Sequence, residues 1–191
     1  MSLLARGDLG EGLMKIRELI YLFIIILFII IGFQATNTEV LKISVFQITS
    51  AVFENNGFIP KKYTCDGANI NPQLFIADVP AGTKSLALIV DDPDAPAGTW
   101  VRWVVWNIVP QTHEIKENSV PNGANQGLND FRRRKYGGPC PPSGTHRYFF
   151  KLYALDSIIT LELNATKAHV TTAMGEHIIA ETRIIGLYKR S

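Results

Sequence analysis

An all-β fold, an antiparallel β-sandwich with one or two peripheral helices, is predicted by three features of the chain. Short runs rich in β-branched and aromatic residues recur along it, Gly, Pro and Asn clusters separate them at regular spacing, and past residue 36 only one stretch has helical character. Leu41–Phe46 alternates, with Leu41, Ile43 and Val45 on one face. Asn55-Asn56-Gly57 reads as a turn. Gln73–Ala77 and Ser85–Val90 are short apolar runs split by Pro80-Ala81-Gly82. Trp100–Ile108 and Arg147–Leu155 are β-branched and aromatic, the second stopping before Asp156. Thr166 can cap a helix over Lys167–Met174 that ends at Gly175, and Glu181–Tyr188 supplies a closing strand. The stretch 110–143 is long, polar and rich in Gly, Pro and Asn, as functional or disordered loops are.

The 191 residues, 47% hydrophobic and 19% charged, suit one globular domain with an appendage. The expected division is an N-terminal segment, 1–36, and a domain, 37–191. A net charge of +2 gives no global field for nucleic acid, so no nucleic-acid partner is expected. Cys65 and Cys140 are the two cysteines, without a C-x-x-C pair or a His/Cys cluster, which argues against structural zinc. They read as two buried thiols, or as one disulfide if the domain lies outside the cytoplasm.

Leu19–Phe33 reads LIYLFIIILFIIIGF, without a charged or amide side chain, behind Lys15 and Arg17. As a helix it rises about 22 Å, short of the roughly 30 Å hydrocarbon core and in the range of a signal-peptide apolar region. Extension through Ala35 with Arg17 snorkelling would suit a thin membrane. Cleavage after Ala35 would put Phe33 where a small residue is required, so an uncleaved anchor stays open. The segment is apolar on every face and does not suit a core helix. Export or membrane anchoring is expected, with the domain outside the cytoplasm.

Three stretches carry possible chemistry: Tyr63-Thr64-Cys65-Asp66-Gly67-Ala68-Asn69-Ile70-Asn71-Pro72, Asp91-Asp92-Pro93-Asp94-Ala95-Pro96-Ala97-Gly98-Thr99-Trp100, and Tyr136-Gly137-Gly138-Pro139-Cys140-Pro141-Pro142-Ser143-Gly144-Thr145-His146-Arg147-Tyr148. Singly, each has a plain explanation. Acidic turns are usually solvated, prolines stiffen loops, and a histidine opening a strand is usually a satisfied polar residue.

Taken in order, with Trp103-Val104-Val105-Trp106-Asn107 between the second and third, they resemble the prokaryotic branch of the phosphatidylethanolamine-binding protein family, whose relatives include the Raf kinase inhibitor protein. The resemblance runs from about Phe53 to Tyr188. It implies a β-sandwich with a small cavity at one end for phosphate-like anions, including a phospholipid head group. The positions that match are Asp92 and Pro96 of D-P-D-A-P, His146 and Tyr148 of H-R-Y, and Gly137 and Gly138 of the glycine-rich loop. An imidazole, a phenol and glycine N–H groups are suitable donors to an anion. Asp92 would instead orient a histidine or receive an ammonium.

Two departures stand out. The family pattern V-H-W-V-V-W-N reads Val101-Arg102-Trp103-Val104-Val105-Trp106-Asn107 here. Arg102 either offers a forked donor to phosphate or pairs with Asp92 and fills the cavity. Arg132-Arg133-Arg134-Lys135 is either a solvated run or a contact for anionic lipid. No G-x-S-x-G, H-E-x-x-H or nucleotide-binding phosphate loop is present, so neither an enzyme nor a cofactor is expected. A metal site from Asp91, Asp92, Asp94 and His146 is conceivable, but the prolines suit a rigid cavity better. The expected function is non-catalytic binding. The alternative is inhibition of a protease or kinase partner through the 110–143 loop.

Overall fold

The computed structural model describes residues 8–33 and 45–190, without side chains for 8–13 and 28–33. The chain divides into two units, Met1–Ile43 and Ser44–Ser191. In the first, helix α1 (Asp8–Phe33) starts eleven residues before the apolar run, and its described apolar side chains from Met14 to Leu27 are exposed. Among the described residues, no helix is long and apolar enough to cross a membrane.

The second unit consists of two sheets and a helix. One sheet has the order β1 (Gln47–Ser50), β3 (Leu74–Ala77), β6 (Glu114–Ile115). The larger runs β2 (Gly57–Phe58), β9 (Ile178–Lys189), β8 (Thr145–Leu155), β4 (Ser85–Asp92), β5 (Trp100–Ile108), β7 (Asn125–Gln126). Every pairing is antiparallel except β2 with β9. Helix α2 (Lys167–Met174) begins at a capping box in which His169 takes the place of the usual acid, and a 3-10 turn, Gly175–His177, follows it.

The central strand β4 is buried on both faces, as its unbroken apolar run requires. Leu86, Leu88 and Val90 face the small sheet, where they meet Ile48, Leu74, Ile76 and Ile115. Ala87 and Ile89 face the other way, into a second cluster with Val104, Trp106, Val170 and Met174. The large sheet is therefore covered by a sheet on one face and by α2 with its flanking segment on the other.

The strands expected at 73–77, 85–90, 100–108, 147–155 and 181–188 all form, the first starting one residue later at Leu74 and several of the others longer than expected. Residues 41–44 of the alternating run Leu41–Phe46 lie outside the described residues. The described strand starts at Gln47, where pairing with Ala77 begins. The 110–143 stretch is not a bare loop: it contributes β6 and β7 and buries Ile115, Asn129 and Tyr136.

Near the end of β5 the register with β4 shifts, and Asn107 takes a left-handed backbone conformation (φ 57°). Its amide donates to the Ile159 carbonyl at 2.8 Å and accepts from the Ile159 N–H at 3.1 Å, tying the segment before α2 to the sheet. Asn107→Ala should lose both bonds and keep the unfavourable dihedral. Equilibrium unfolding in denaturant should show a loss of about 1–3 kcal/mol. An unchanged midpoint would show that the tie contributes nothing.

Candidate functional site

Strand alternation turns Asp91 and Asp92, adjacent at the end of β4, to opposite faces of the large sheet. Both are fully buried. A buried carboxylate needs counter-charges and donors, and each of the two finds its own set. Asp91 receives Lys151 Nζ at 3.0 Å and Lys167 Nζ, from the first residue of α2, at 2.5 Å. It therefore stands apart from Asp92, Asp94 and His146, and those four do not form one cluster. Among the described residues, no group of three His, Cys, Asp or Glu side chains could hold a metal ion.

Asp92 faces the sandwich side, at the end where β5 and β8 both begin. Arg102 of β5 and His146 and Tyr148 of β8 project to the same place. Arg102 Nη2 lies 3.2 Å from Asp92 Oδ2, and Arg102 Nη1 donates to the Gly138 carbonyl at 3.0 Å. His146 Nδ1 is 3.0 and 3.1 Å from the two Asp92 oxygens, so Nδ1 carries the N–H that donates to the carboxylate. Asp92 Oδ1 also accepts the Asp94 N–H at 3.1 Å. Arg102 is 4% exposed, His146 7% and Tyr148 0%.

Arg102 Nε in this cluster has no hydrogen-bond partner among the described residues, and the Tyr148 hydroxyl, which lies beside the Asp92 carboxylate and the Cys140 backbone, makes no well-formed bond to either. Burial, and secondarily the Asp92 charge, push the Tyr148 phenol far above its ordinary range, so it stays a neutral donor. The rings of Phe131 and Tyr148 lie against the guanidinium, their centroids 5.3 and 5.4 Å from Cζ.

Gly137 and Gly138 border the cluster, but their N–H groups are both engaged. Gly137 N–H donates to the Arg102 carbonyl at 2.9 Å and Gly138 N–H to Asn69 Oδ1 at 2.6 Å. The loop offers Arg102 a carbonyl instead. Pro96 lies in the exposed turn between β4 and β5, off the cluster, where it limits the turn's conformations. A cavity of about 140 Å³ adjoins the two glycines, with Asn69, Phe131, Arg133, Lys135 and both cysteines in its wall; Asp92, Arg102, His146 and Tyr148 are not part of that wall.

The two loops around this cavity are stitched together. Cys65 and Cys140 form a disulfide, the Cys65 N–H donates to the Pro139 carbonyl at 3.0 Å, and the Tyr136 hydroxyl donates to the Tyr63 carbonyl at 3.2 Å. Asn129, also buried, donates to the Arg102 and Lys135 carbonyls. Sequence reasoning missed Asn129 and Phe131. Asn69 stood inside a quoted motif without a role; nothing in G-L-N-D-F marked the other two.

A family model described as phosphatidylethanolamine-binding protein matches residues 49–189. The chain belongs to the phosphatidylethanolamine-binding protein family. A UPF0098 protein of Methanothermobacter thermautotrophicus is 51% identical over 143 residues, 72% of this chain and 95% of the relative. Another, from Aquifex aeolicus, is 50% identical over 155 residues, 77% of this chain and 90% of the relative. Two solved structures are similar. A phosphatidylethanolamine-binding protein homolog from Chlamydia trachomatis has a TM-score of 0.74 and 41% identity, covering 77% of this chain and 99% of that one. YbcL of E. coli, described as a member of the mammalian branch of the family, has a TM-score of 0.72 and 34% identity, covering 76% and 99%. In both cases about three quarters of this chain matches almost the whole of the solved one.

Two measurements probe how the family domain holds this site. A Cβ on Gly138 would meet the Tyr63 carbonyl oxygen at 2.5 Å and Thr64 Cα at 2.8 Å, both backbone atoms that cannot swing away. Gly138→Ala should therefore part the two loops and lower stability by roughly 1–3 kcal/mol, the usual cost of overpacking. A thermal melt identical to the wild type would refute the close approach.

The second concerns acid. Asp94 is held by Arg147 through Nε at 2.9 Å and Nη2 at 2.6 Å, and chiefly for that reason its carboxyl is pulled down to about 2. A depressed folded-state value stabilises the fold above the ordinary carboxyl range, and that contribution is lost as pH falls from about 4 through about 2. Asp94→Asn should flatten the stability–pH curve in that window and nowhere else. An unaltered acid limb would rule the pair out as its cause.

Proposed function

We propose that this domain is a non-catalytic binding module for a phosphate-like anion, free or as a phospholipid head group, at the Asp92–Arg102–His146–Tyr148 cluster. The observation that carries the proposal is the buried Arg102 Nε, a donor without a partner among the described residues, set against the ring of Tyr148, whose hydroxyl is a second buried donor. Donors of this kind are costly to bury unless something accepts from them. Asp92 serves the anion indirectly, by fixing the guanidinium and the imidazole; an ammonium group on a ligand could engage it from the same side. Membership of the family and the name borne by its Chlamydia trachomatis relative favour this ligand class.

One observation favours a second reading. The Arg102–Asp92 contact at 3.2 Å is an internal ion pair where the family pattern has histidine, and it could plug the site rather than furnish it. A single titration separates the two. If Arg102 serves the anion, Arg102→Ala should weaken phosphorylethanolamine binding by about 1.5–3 kcal/mol, tenfold or more by calorimetry. If Arg102 is a plug, the same change should strengthen binding while destabilising the fold, because Asp92 loses its partner. Stronger binding on truncation overturns the proposed role.

We also propose export or membrane retention of the domain. The apolar run Leu19–Phe33 supports this, as does the Cys65–Cys140 bond, which persists in oxidising compartments. The full chain should fractionate with membranes or outside the cytosol, and recovery of all of it as a soluble cytosolic protein would refute this.

A further inference from the structure

The strongest charged feature outside the cluster is the run Arg132–Lys135. An exposed run of this kind is ordinarily mobile and solvated, but here the backbone beneath it is closed. Asn129, 4% exposed, accepts the Phe131 and Arg133 N–H groups on Oδ1, both at 3.0 Å, and donates to the Lys135 carbonyl at 2.8 Å. Its own backbone exchanges bonds with Arg133 (3.1 Å) and Arg132 (2.8 Å), and Arg132 takes a left-handed φ of 58°. The result is a fixed knuckle, 129–135, on which all four cations are exposed. Among the described residues none of the four is in an ion pair. The acid within the knuckle, Asp130, is engaged by the Val101 N–H at 2.6 Å. At the base Phe131, 41% exposed, is held edge-on by Trp100 at 5.5 Å and by Arg102.

We propose that this knuckle docks the domain on an anionic lipid surface, with Arg132–Lys135 among the head groups and Phe131 at the boundary between polar and apolar layers. Charge complementarity favours this partner: four unpaired cations on one rigid turn beside a half-exposed aromatic. Each cation near an anionic leaflet strengthens adsorption roughly fivefold. Nucleic acid is disfavoured, because the net charge is only +2 and the turn presents one aromatic rather than a stacking series. The knuckle also forms part of the wall of the 140 Å³ cavity, so docking would bring that opening to the surface. The proposal is independent of what the Asp92 cluster binds.

The test uses the second unit, Ser44–Ser191, because two solved relatives are chains matched to 99% of their length by about three quarters of this one, about the share that this unit makes up. It is sedimented with vesicles of phosphatidylcholine, with and without phosphatidylserine, at low and high salt. Binding is expected only with phosphatidylserine and should fall with salt. R132Q/R133Q/R134Q should weaken it at least about tenfold. K84Q/K116Q/R183Q removes the same charge at exposed positions elsewhere and should leave most of it. Equal loss in both variants, equal binding to pure phosphatidylcholine, or no binding at all would overturn the proposal. So would a knuckle variant that keeps vesicle binding but loses binding to duplex DNA. Melting curves confirm that each variant is folded.

Discussion

Two carboxylates side by side at the end of a fully buried strand cannot both be neutralised from one direction. Alternation sends Asp91 and Asp92 to opposite faces of the sheet, and the surroundings of each follow from that separation. An unpaired charge at either place would be costly enough to shift or abolish ionisation. On one side two lysines, one from β8 and one from the start of α2, close over Asp91 and fasten the helix to the sheet. On the other, an arginine and a histidine close over Asp92 and gather the ends of three strands into one polar cluster. The same dipeptide thus organises a structural contact and the candidate site, back to back.

The cluster in turn depends on the loops packed beside it. Arg102 is held by the Gly138 carbonyl, Gly138 is held by Asn69, and the Arg102 carbonyl is held by Asn129. The disulfide crosses between the same two loops. Removing one partner from such a chain leaves buried groups unsatisfied at several links, so its members are expected to act together rather than additively.

Most of the architecture was legible in the chain because strand period and turn residues are local signals. The strand at 100–108 and the helix at 167–174 fall where β-branched content and a Thr cap place them. The convergence of Asp92, His146 and Tyr148 was legible only through long ordered motifs, since nothing local says that residues more than fifty positions apart will meet. What stayed hidden was tertiary in origin. The two-residue strands at 57–58, 114–115 and 125–126 are too short to carry a period, and exist because a neighbouring strand offers an edge. The parallel β2–β9 pairing has no turn signature. The glycine N–H groups looked like donors for an anion, yet both are consumed internally, because whether a backbone donor is free depends on which remote side chain reaches it first. The lysines on Asp91 come from elements 60 and 76 residues away.

The position of β9 has a consequence for how the domain comes into being. The last of the described strands in sequence order, it inserts between β2, made first among its neighbours, and β8, pairing with the whole length of the latter. Until residues 178–189 have been synthesised, one edge of β8 stays open and β2 has no strand to join. An intermediate of that kind offers free backbone donors and acceptors to other chains. It also has no complete sheet to resist being pulled into an extended thread. The order of strands therefore leaves the domain pliable, and vulnerable, until residues 178–189 have been made.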